Sequence, residues 1–467
     1  MKILGKKSLL LFSGLVTMGQ QADAWGGRSD RPNVLIILLD DAGYNDFGFM
    51  GSPDLRTPNI DALAADGVIF TDGHVAATVS SPSRACLMTG RYGHRFGYEC
   101  NPDHSTDGLP LDEQTLGEIF KEAGYHTVAI GKWHLGSRDE QHPNRRGFDL
   151  FYGMKAGSRG YFYDEAQSDK PGDGRNLLLN ENQVKFDGYL TDVFSCKAVD
   201  FIKETKEPFM MYLAYNAVHT PMQATQEDMA LFEGHPRQKL AAMTHALDRG
   251  IGCVVRALKE SGKYDNTLIF FLSDNGGATN NQSSNHPLKG FKGNKFEGGH
   301  RVPFFMVWRQ GSVLPGQYDG LVSSLDIFAT AVAAAGIRKT KKPLDGVSLL
   351  PYVSGKKKGN PHEELYWRKM DTRAIRCGDY KLIVTQGVDS VLYDVRKDMQ
   401  EQVDIKEAKP EVFHRLYTKL TRWEREECVA PLWIEEGWAE ITNGYHRQLM
   451  HNEIKTARDL QKTKGKK

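Results

Sequence analysis

Apolar runs recur along the chain, each followed by a short polar segment and then by a stretch with helical spacing. Val34-Leu-Ile-Ile-Leu-Leu39 contains no polar position, which suits a strand buried on both faces, as in a parallel sheet. Val68–Phe70, His126–Ile130, Phe209–Ala214, Thr267–Leu272 and Pro303–Trp308 read as further strands. Between them, Thr57 as cap and Pro58 open a helix with Ile60, Leu63 and Ala64 on one face and Gly67 as its stop. Thr115–Ala123, closed by Gly124, reads as a second helix, and Leu190–Glu204, Gln238–Glu260 and Ser323–Ala335 as others. Strand and helix alternate, so the predicted fold class is α/β, a mostly parallel central sheet flanked by helices.

Around Lys339–Lys358 the composition turns to lysine, proline and glycine, which marks a boundary. Residues 25–350 then form a large domain and 351–455 a smaller α+β domain. The smaller one has short strands at Leu365–Trp367, Tyr380–Val384 and Val391–Tyr393, and a helix at Glu411–Trp423. Residues 456–467 read as a basic, frayed tail. At the other end, Lys2, Lys6 and Lys7 precede the apolar run Ser8–Val16, which is too short to span a bilayer. Ala22-Asp-Ala24 is a small-x-small cleavage pattern, so residues 1–24 read as a secretory signal peptide. No later stretch is apolar enough to span a membrane.

Composition narrows the function. A chain of 467 residues with a formal charge of +1 has no global charge for nucleic acid or a membrane surface, so charges matter locally. Six cysteines are too sparse for a disulfide scaffold, and the lack of a Cys-x-x-Cys pair argues against a thiolate zinc site. Cys86, on an apolar run, reads as core.

The polar residues collect just after strands, at the edge where open α/β sheets bind ligands. Asp40-Asp41 ends the first strand; two carboxylates there repel each other unless a cation or solvent intervenes. Lys132 and His134, His219, and Asp274-Asn275 follow other strands. Gly290–Gly299 lacks the Gly-Lys-Ser/Thr ending of a nucleotide loop. It reads as a lysine loop holding Lys292 and Lys295 over an anion, or as plain flexible surface. Thr78–Arg91 is a loop turning into a helix: Pro82 suits its first turn and Gly90 its left-handed end. Ser80 then lies just outside the helix N-terminus, where the dipole favours an anion, and Arg84 points back at it. Ser80 is either a nucleophile or, with Ser81, merely a cap.

Ser80-Ser-Pro-Ser-Arg84 with Thr89-Gly-Arg91 resembles the sulfatase signature, and Gly124-Tyr-His-Thr-Val-Ala-Ile-Gly-Lys-Trp-His134 resembles the second signature of the same family. The resemblance, over about residues 31–400, implies an alkaline-phosphatase-like fold and hydrolysis of sulfate esters. It implies that Ser80 is converted to formylglycine (3-oxoalanine). The second hydroxyl of the aldehyde hydrate can expel sulfate, whereas an ordinary serine would be left as a stable ester. By the same resemblance, Asp40, Asp41, Asp274, Asn275 and residue 80 bind Ca2+, with Mg2+ second. Arg84 holds the hydrate, Lys132 and Lys292 bind sulfate oxygens, His134 takes a proton, and His219 with Lys292 protonates the leaving alcohol. Serine at position 80 resembles bacterial members matured by a radical S-adenosylmethionine enzyme before export, which implies a periplasmic or secreted protein. Gly97–Asp112 and Gly136–Tyr152 resemble galactose or N-acetylgalactosamine 6-sulfate sulfatases, with Glu99, Asn101, His104, Arg159 and His300 as sugar contacts. The competing readings are a two-zinc phosphatase or phosphonate hydrolase on the same fold, and a non-catalytic protein that binds sulfated glycans.

Overall fold

The computed structural model describes residues 31–102, 108–170, 174–311 and 313–464, the last four by backbone alone. The signal-peptide reading and His104 lie outside the described residues. In chain order the elements up to the lysine-rich boundary are β1 (Asn33–Leu39), α1 (Pro58–Ala65), β2 (Val68–Phe70), β3 (Gly73–His74), α2 (Ser80–Thr89), α3 (Leu116–Glu122), β4 (His126–Lys132), β5 (Leu150–Met154), β6 (Leu178–Leu179), β7 (Asn182–Gln183), α4 (Leu190–Glu204), β8 (Phe209–Ala214), α5 (Gln226–Ala230), α6 (Gln238–Glu260), β9 (Thr267–Ser273), α7 (Glu297–His300), β10 (Phe304–Val307), β11 (Gly316–Tyr318), β12 (Val322–Ser323), α8 (Asp326–Ala334) and α9 (Leu350–Val353).

The main sheet runs β11-β2-β10-β9-β1-β8-β4-β5-β6-β7. Its centre, β9-β1-β8-β4-β5, is parallel throughout, with Val34 of β1 between Met210 and Leu268. β10 is antiparallel to both its neighbours, as are β5 and β6. β1 explains the arrangement. Leu35, Ile37 and Leu39 pack on one face with Ile60, Phe194 and Leu247, whereas Val34, Ile36 and Leu38 pack on the other with Met88, Leu116 and Phe328. Burying such a side chain stabilises the fold by about 1.5–3 kcal/mol, so a strand covered on both faces needs an unbroken apolar run. Each parallel strand ends at the same edge, where the polar residues begin.

A second, antiparallel sheet follows: β13 (Glu364–Lys369), β14 (Thr372–Cys377), β15 (Tyr380–Thr385) and β16 (Asp389–Asp394). α10 (Pro410–Glu427) covers one face with Leu416, Leu420 and Trp423. On the other face α11 (Glu436–Met450) and α12 (Ala457–Lys464) join Trp367, Phe291 and Phe296. The frayed tail expected from residue 456 onward is therefore corrected over its described part: Ala457–Lys464 is helical, and Ala457 and Leu460 are buried because they close this apolar cluster. β5, β14 and α11 were not expected. Thr57 heads α1 without bonding a helix N–H, because its hydroxyl accepts from the Gly48 amide and donates to Asp61 instead. Among the described residues no helix is long and apolar enough to cross a membrane, and all six cysteines are free.

Candidate active site

Ser80 is the first residue of α2 rather than a position outside it, and neither Ser80 nor Ser81 caps the helix; Val79 takes the capping place without a side-chain bond. Gly90 ends the helix at φ 65°, the left-handed region that glycine enters freely. The positive end of α2 thus faces the strand edge.

Two strand ends converge on Ser80. The Ser80 Oγ lies 3.2 Å from Asp40 Oδ1, after β1, and 3.3 Å from Asn275 Oδ1, after β9. Asp274 Oδ1 accepts the Asp41 amide at 3.2 Å, and Asn275 Nδ2 donates to Asp41 Oδ1 at 2.8 Å. Asp41 is held at φ 61°, and its carbonyl accepts from Asn281 and Ser283. Asp40, Asp41 and Asp274 are buried.

Cations compensate them. The Lys132 Nζ, at the end of β4, donates to Asp40 Oδ2 at 2.7 Å. The Lys292 Nζ is 2.7 Å from Asp41 Oδ1. Arg84 does point back along α2, onto Asp274 at 2.8 Å and within 3.7 Å of Asp40. Burial would raise the Asp40 carboxyl, but Lys132, His219 and Arg84 outweigh it and hold Asp40 below the ordinary range. Asp41 is lowered in the same way by Lys292 and His219 against its burial. Burial lowers the Lys132 ammonium, while the surrounding carboxylates outweigh burial at Lys292 and raise it.

Two histidines flank the cluster. His134 is half-buried at φ 57°, with its ring against Gly157 and Nδ1 without a hydrogen-bond partner. Burial and the nearby Lys132, Arg84 and Lys292 push it well below the histidine range, so it is neutral and able to accept a proton. His219 donates Nδ1–H to the Thr220 carbonyl at 2.6 Å, which turns Nε2 toward Asp41 Oδ2, 3.6 Å away.

The donor set suits a hard cation. The Ser80 hydroxyl carries one proton yet faces two acceptor oxygens, both beyond the ~2.7–2.8 Å of a good O–H···O bond. Asp40, Asp41, Asp274, Asn275 and Ser80 offer oxygen only, the ligand type of calcium or magnesium. Another buried group, His74, Glu297 and His300, has metal-like spacing. There Lys381 donates to Glu297 at 2.9 Å and lies 3.0 Å from the His300 Nε2, so an ammonium already fills the place of an ion.

The expected sugar contacts do not gather at this site. Glu99 is 2% exposed and paired with Arg368. Arg159 is 2% exposed, paired with Asp169 at 2.8 Å. His300 is fully buried, stacked on Trp367. Asn101 does reach the α2 N-terminus, accepting from the Ser81 amide at 3.1 Å. Lys295, expected over an anion, is buried and donates to Thr78 Oγ1 at 3.0 Å. Sequence reading missed Tyr212, whose hydroxyl accepts from Arg84 at 3.3 Å, and the Asn281/Ser283 brace, signalled only by a polar run, Thr279–Asn285. A cavity of about 1060 Å³ meets the cluster at His134.

The sulfatase family model matches residues 32–337. The chain is 35% identical over 395 residues to the uncharacterized sulfatase YdeN of Escherichia coli K12, covering 72% of this chain and 68% of that one. It is 33% identical over 380 residues to human N-acetylgalactosamine-6-sulfatase, covering 76% and 72%. The crystal structure of Ps i-CgsB in complex with k-i-k-neocarrahexaose superposes with a TM-score of 0.82 at 37% identity, covering 90% of this chain and 99% of that one. The chain belongs to the sulfatase family and is a sulfuric ester hydrolase.

Proposed function

We propose that the protein removes sulfate from a sulfated carbohydrate, with a galactose or N-acetylgalactosamine sulfate as substrate. One observation carries the reading: Ser80 Oγ, at the positive end of α2, stands within 3.3 Å of Asp40 and Asn275 amid the Lys132, Lys292 and Arg84 cations. Similarity to human N-acetylgalactosamine-6-sulfatase and to Ps i-CgsB, solved with a neocarrahexaose, supports a carbohydrate substrate.

In this reading a radical S-adenosylmethionine enzyme takes two hydrogens from Ser80 before export to the periplasm or medium, and water adds to the resulting aldehyde. One hydroxyl of that hydrate gives its proton to the Asp40 carboxylate beside it, and its oxygen attacks sulfur while the bond from sulfur to the sugar oxygen breaks. The leaving oxygen takes its proton from Nε2–H of His219 in its doubly protonated form; the Nδ1–H bond to the Thr220 carbonyl aims that nitrogen inward. Lys132 and Lys292 stabilise charge on the sulfate oxygens. His134, neutral in this setting, takes the proton of the second hydroxyl. The aldehyde re-forms as its bond to sulfate breaks. Calcium held by Asp40, Asp41, Asp274, Asn275 and residue 80 would supply positive charge that acidifies the nucleophile and polarises the ester.

The test is peptide mass spectrometry of residue 80 in protein from its native host, paired with sulfate release from N-acetylgalactosamine 6-sulfate. Loss of two hydrogens with sulfate release upholds the reading. Unmodified serine with no release, or hydrolysis of p-nitrophenyl phosphate in preference to the sulfate, overturns it.

A further inference from the structure

The strand edge that carries the catalytic cluster continues one strand further, and cations continue with it. β4 and β5 are parallel neighbours, with Lys132 opposite Met154. Past the strand ends the ladder persists: the Trp133 amide donates to the Met154 carbonyl at 3.0 Å and the His134 amide to the Lys155 carbonyl at 3.1 Å. Lys155 is therefore bound through its backbone to His134, about one strand spacing of ~4.8 Å along the edge. Both residues line the cavity of about 1060 Å³, together with Arg145, Arg175 and Asn176.

This cavity is polar, and the carboxylates of Glu181 and the exposed Asp139 line it with Arg145 and Lys155. Arg145 pairs with Glu181 at 2.9 Å, but both side chains are more than half exposed, so water screens the pair. Lys155 is half-buried and donates to the Ser137 carbonyl at 2.7 Å; among the described residues no carboxylate pairs with it. The Asn176 Oδ1, in a residue 4% exposed, has no hydrogen-bond partner and can accept from a sugar hydroxyl, not bind the anion. A single hexose would leave much of this volume empty.

The geometry points to a second anion subsite at Lys155, flanked by Arg145. The substrate is then an oligosaccharide with a further anionic group beside the sugar whose ester is cleaved. The inference rests on the sulfatase reading of the site, since it orients the glycan from His134. The recognised chemistry is a single negative charge, a sulfate ester or a uronate carboxylate.

Three oligosaccharides of one backbone test it. All carry sulfate on the terminal N-acetylgalactosamine. The next sugar is unsubstituted in one, sulfated in the second and a uronate in the third. Binding to the Ser80→Ala protein, by calorimetry, is expected to be at least tenfold tighter for one of the anionic probes than for the unsubstituted one, and the tighter probe names the anion. Lys155→Gln keeps a donor for the Ser137 carbonyl but loses the charge, and should bring that ratio to about one; Lys155→Arg should restore it. Equal binding of all three probes, or a ratio unchanged in Lys155→Gln, overturns the subsite. Sulfate release by the wild-type protein is scored separately. A chain that discriminates the probes but releases nothing refutes the proposed N-acetylgalactosamine sulfate substrate and leaves the subsite standing.

Discussion

Arg84 gives two hydrogens, from Nε and Nη2, to one oxygen of Asp274, at 3.1 and 2.8 Å. The other Asp274 oxygen accepts the Asp41 amide, so one ion pair ties α2 to the ends of β9 and β1. Both side chains are fully buried. Removing one partner strands a charge away from water, at about 3–5 kcal/mol. Arg84→Met is therefore expected to lose about that much unfolding free energy in urea. Arg84→Lys keeps the charge but not the fork, and should lose less. Equal stability of all three proteins would show that the pair is dispensable.

Ser80 contributes little to holding the fold, because its hydroxyl makes only long contacts, at 3.2 and 3.3 Å. Ser80→Ala should keep the thermal midpoint within a few degrees, since the loss is about 1 kcal/mol or less. Sulfate release should fall by about 10⁴-fold or more, as when a nucleophile is removed. Substantial turnover in that variant would mean that the nucleophile lies elsewhere.

The oxygen cluster should bind calcium in a way that stability reports without any assay of activity. At a free concentration of one hundred times Kd, a bound ion adds about 2.7 kcal/mol. Calcium added to chelator-treated protein should raise the thermal midpoint. Asp41→Asn removes a buried charge that otherwise faces Asn275 and Lys292, and should erase most of that rise. An unchanged rise would place the ion at a different site.

Much of this architecture was legible because it rests on local rules. A short run such as Thr267–Leu272, apolar after its first residue, reads as a covered strand, and β9 starts at the same residue. α4 and α6 match their predicted spans because apolar spacing and bounding polar residues agree. β14 was missed because Arg373 and Arg376 interrupt its apolar positions; there the charges pair with Glu424 and Asp72 across the fold. α12 was missed because its few apolar residues find their partners in a cluster built from distant parts of the chain, Phe291 and Trp367 among them. At the site, residues inside the two signatures landed together. Glu99, Arg159 and His300 did not, since a loop charge does not reveal whether it meets substrate or a distant partner such as Arg368.

Glu401 gives a pH signature away from the cluster. Burial raises it to about 7; the Lys381 ammonium, 3.0 Å away, offsets this only in part, and the neighbouring Glu297 carboxylate adds to it. Between the ordinary glutamate range, about 4.3, and this value, the folded protein holds a proton that the unfolded chain has released. Stability from this group thus falls as pH rises through that window. Glu401→Gln should flatten the decline between about pH 5 and 7 in urea titrations. A variant with the wild-type slope would show that Glu401 is ionised throughout.

The segment from Asn452 through α12 braces the loop that delivers Lys292. The Gly290 amide donates to the Lys455 carbonyl at 2.8 Å, and the Lys289 Nζ donates to Asn452 Oδ1 at 2.7 Å. Ala457 and Leu460 pack in one cluster with Phe291 and Phe296, on either side of Lys292. Lys292 must hold its ammonium at Asp41 within a bond length, and a displacement of about 1 Å in such a group can cost about 10²-fold in rate. A chain ending at Glu453 is therefore expected to lose about 10²-fold in kcat/KM, whereas Arg458→Ala, at an exposed position of the same helix, should leave it within twofold. Full activity in the truncated chain would show that the loop holds Lys292 in place without α12.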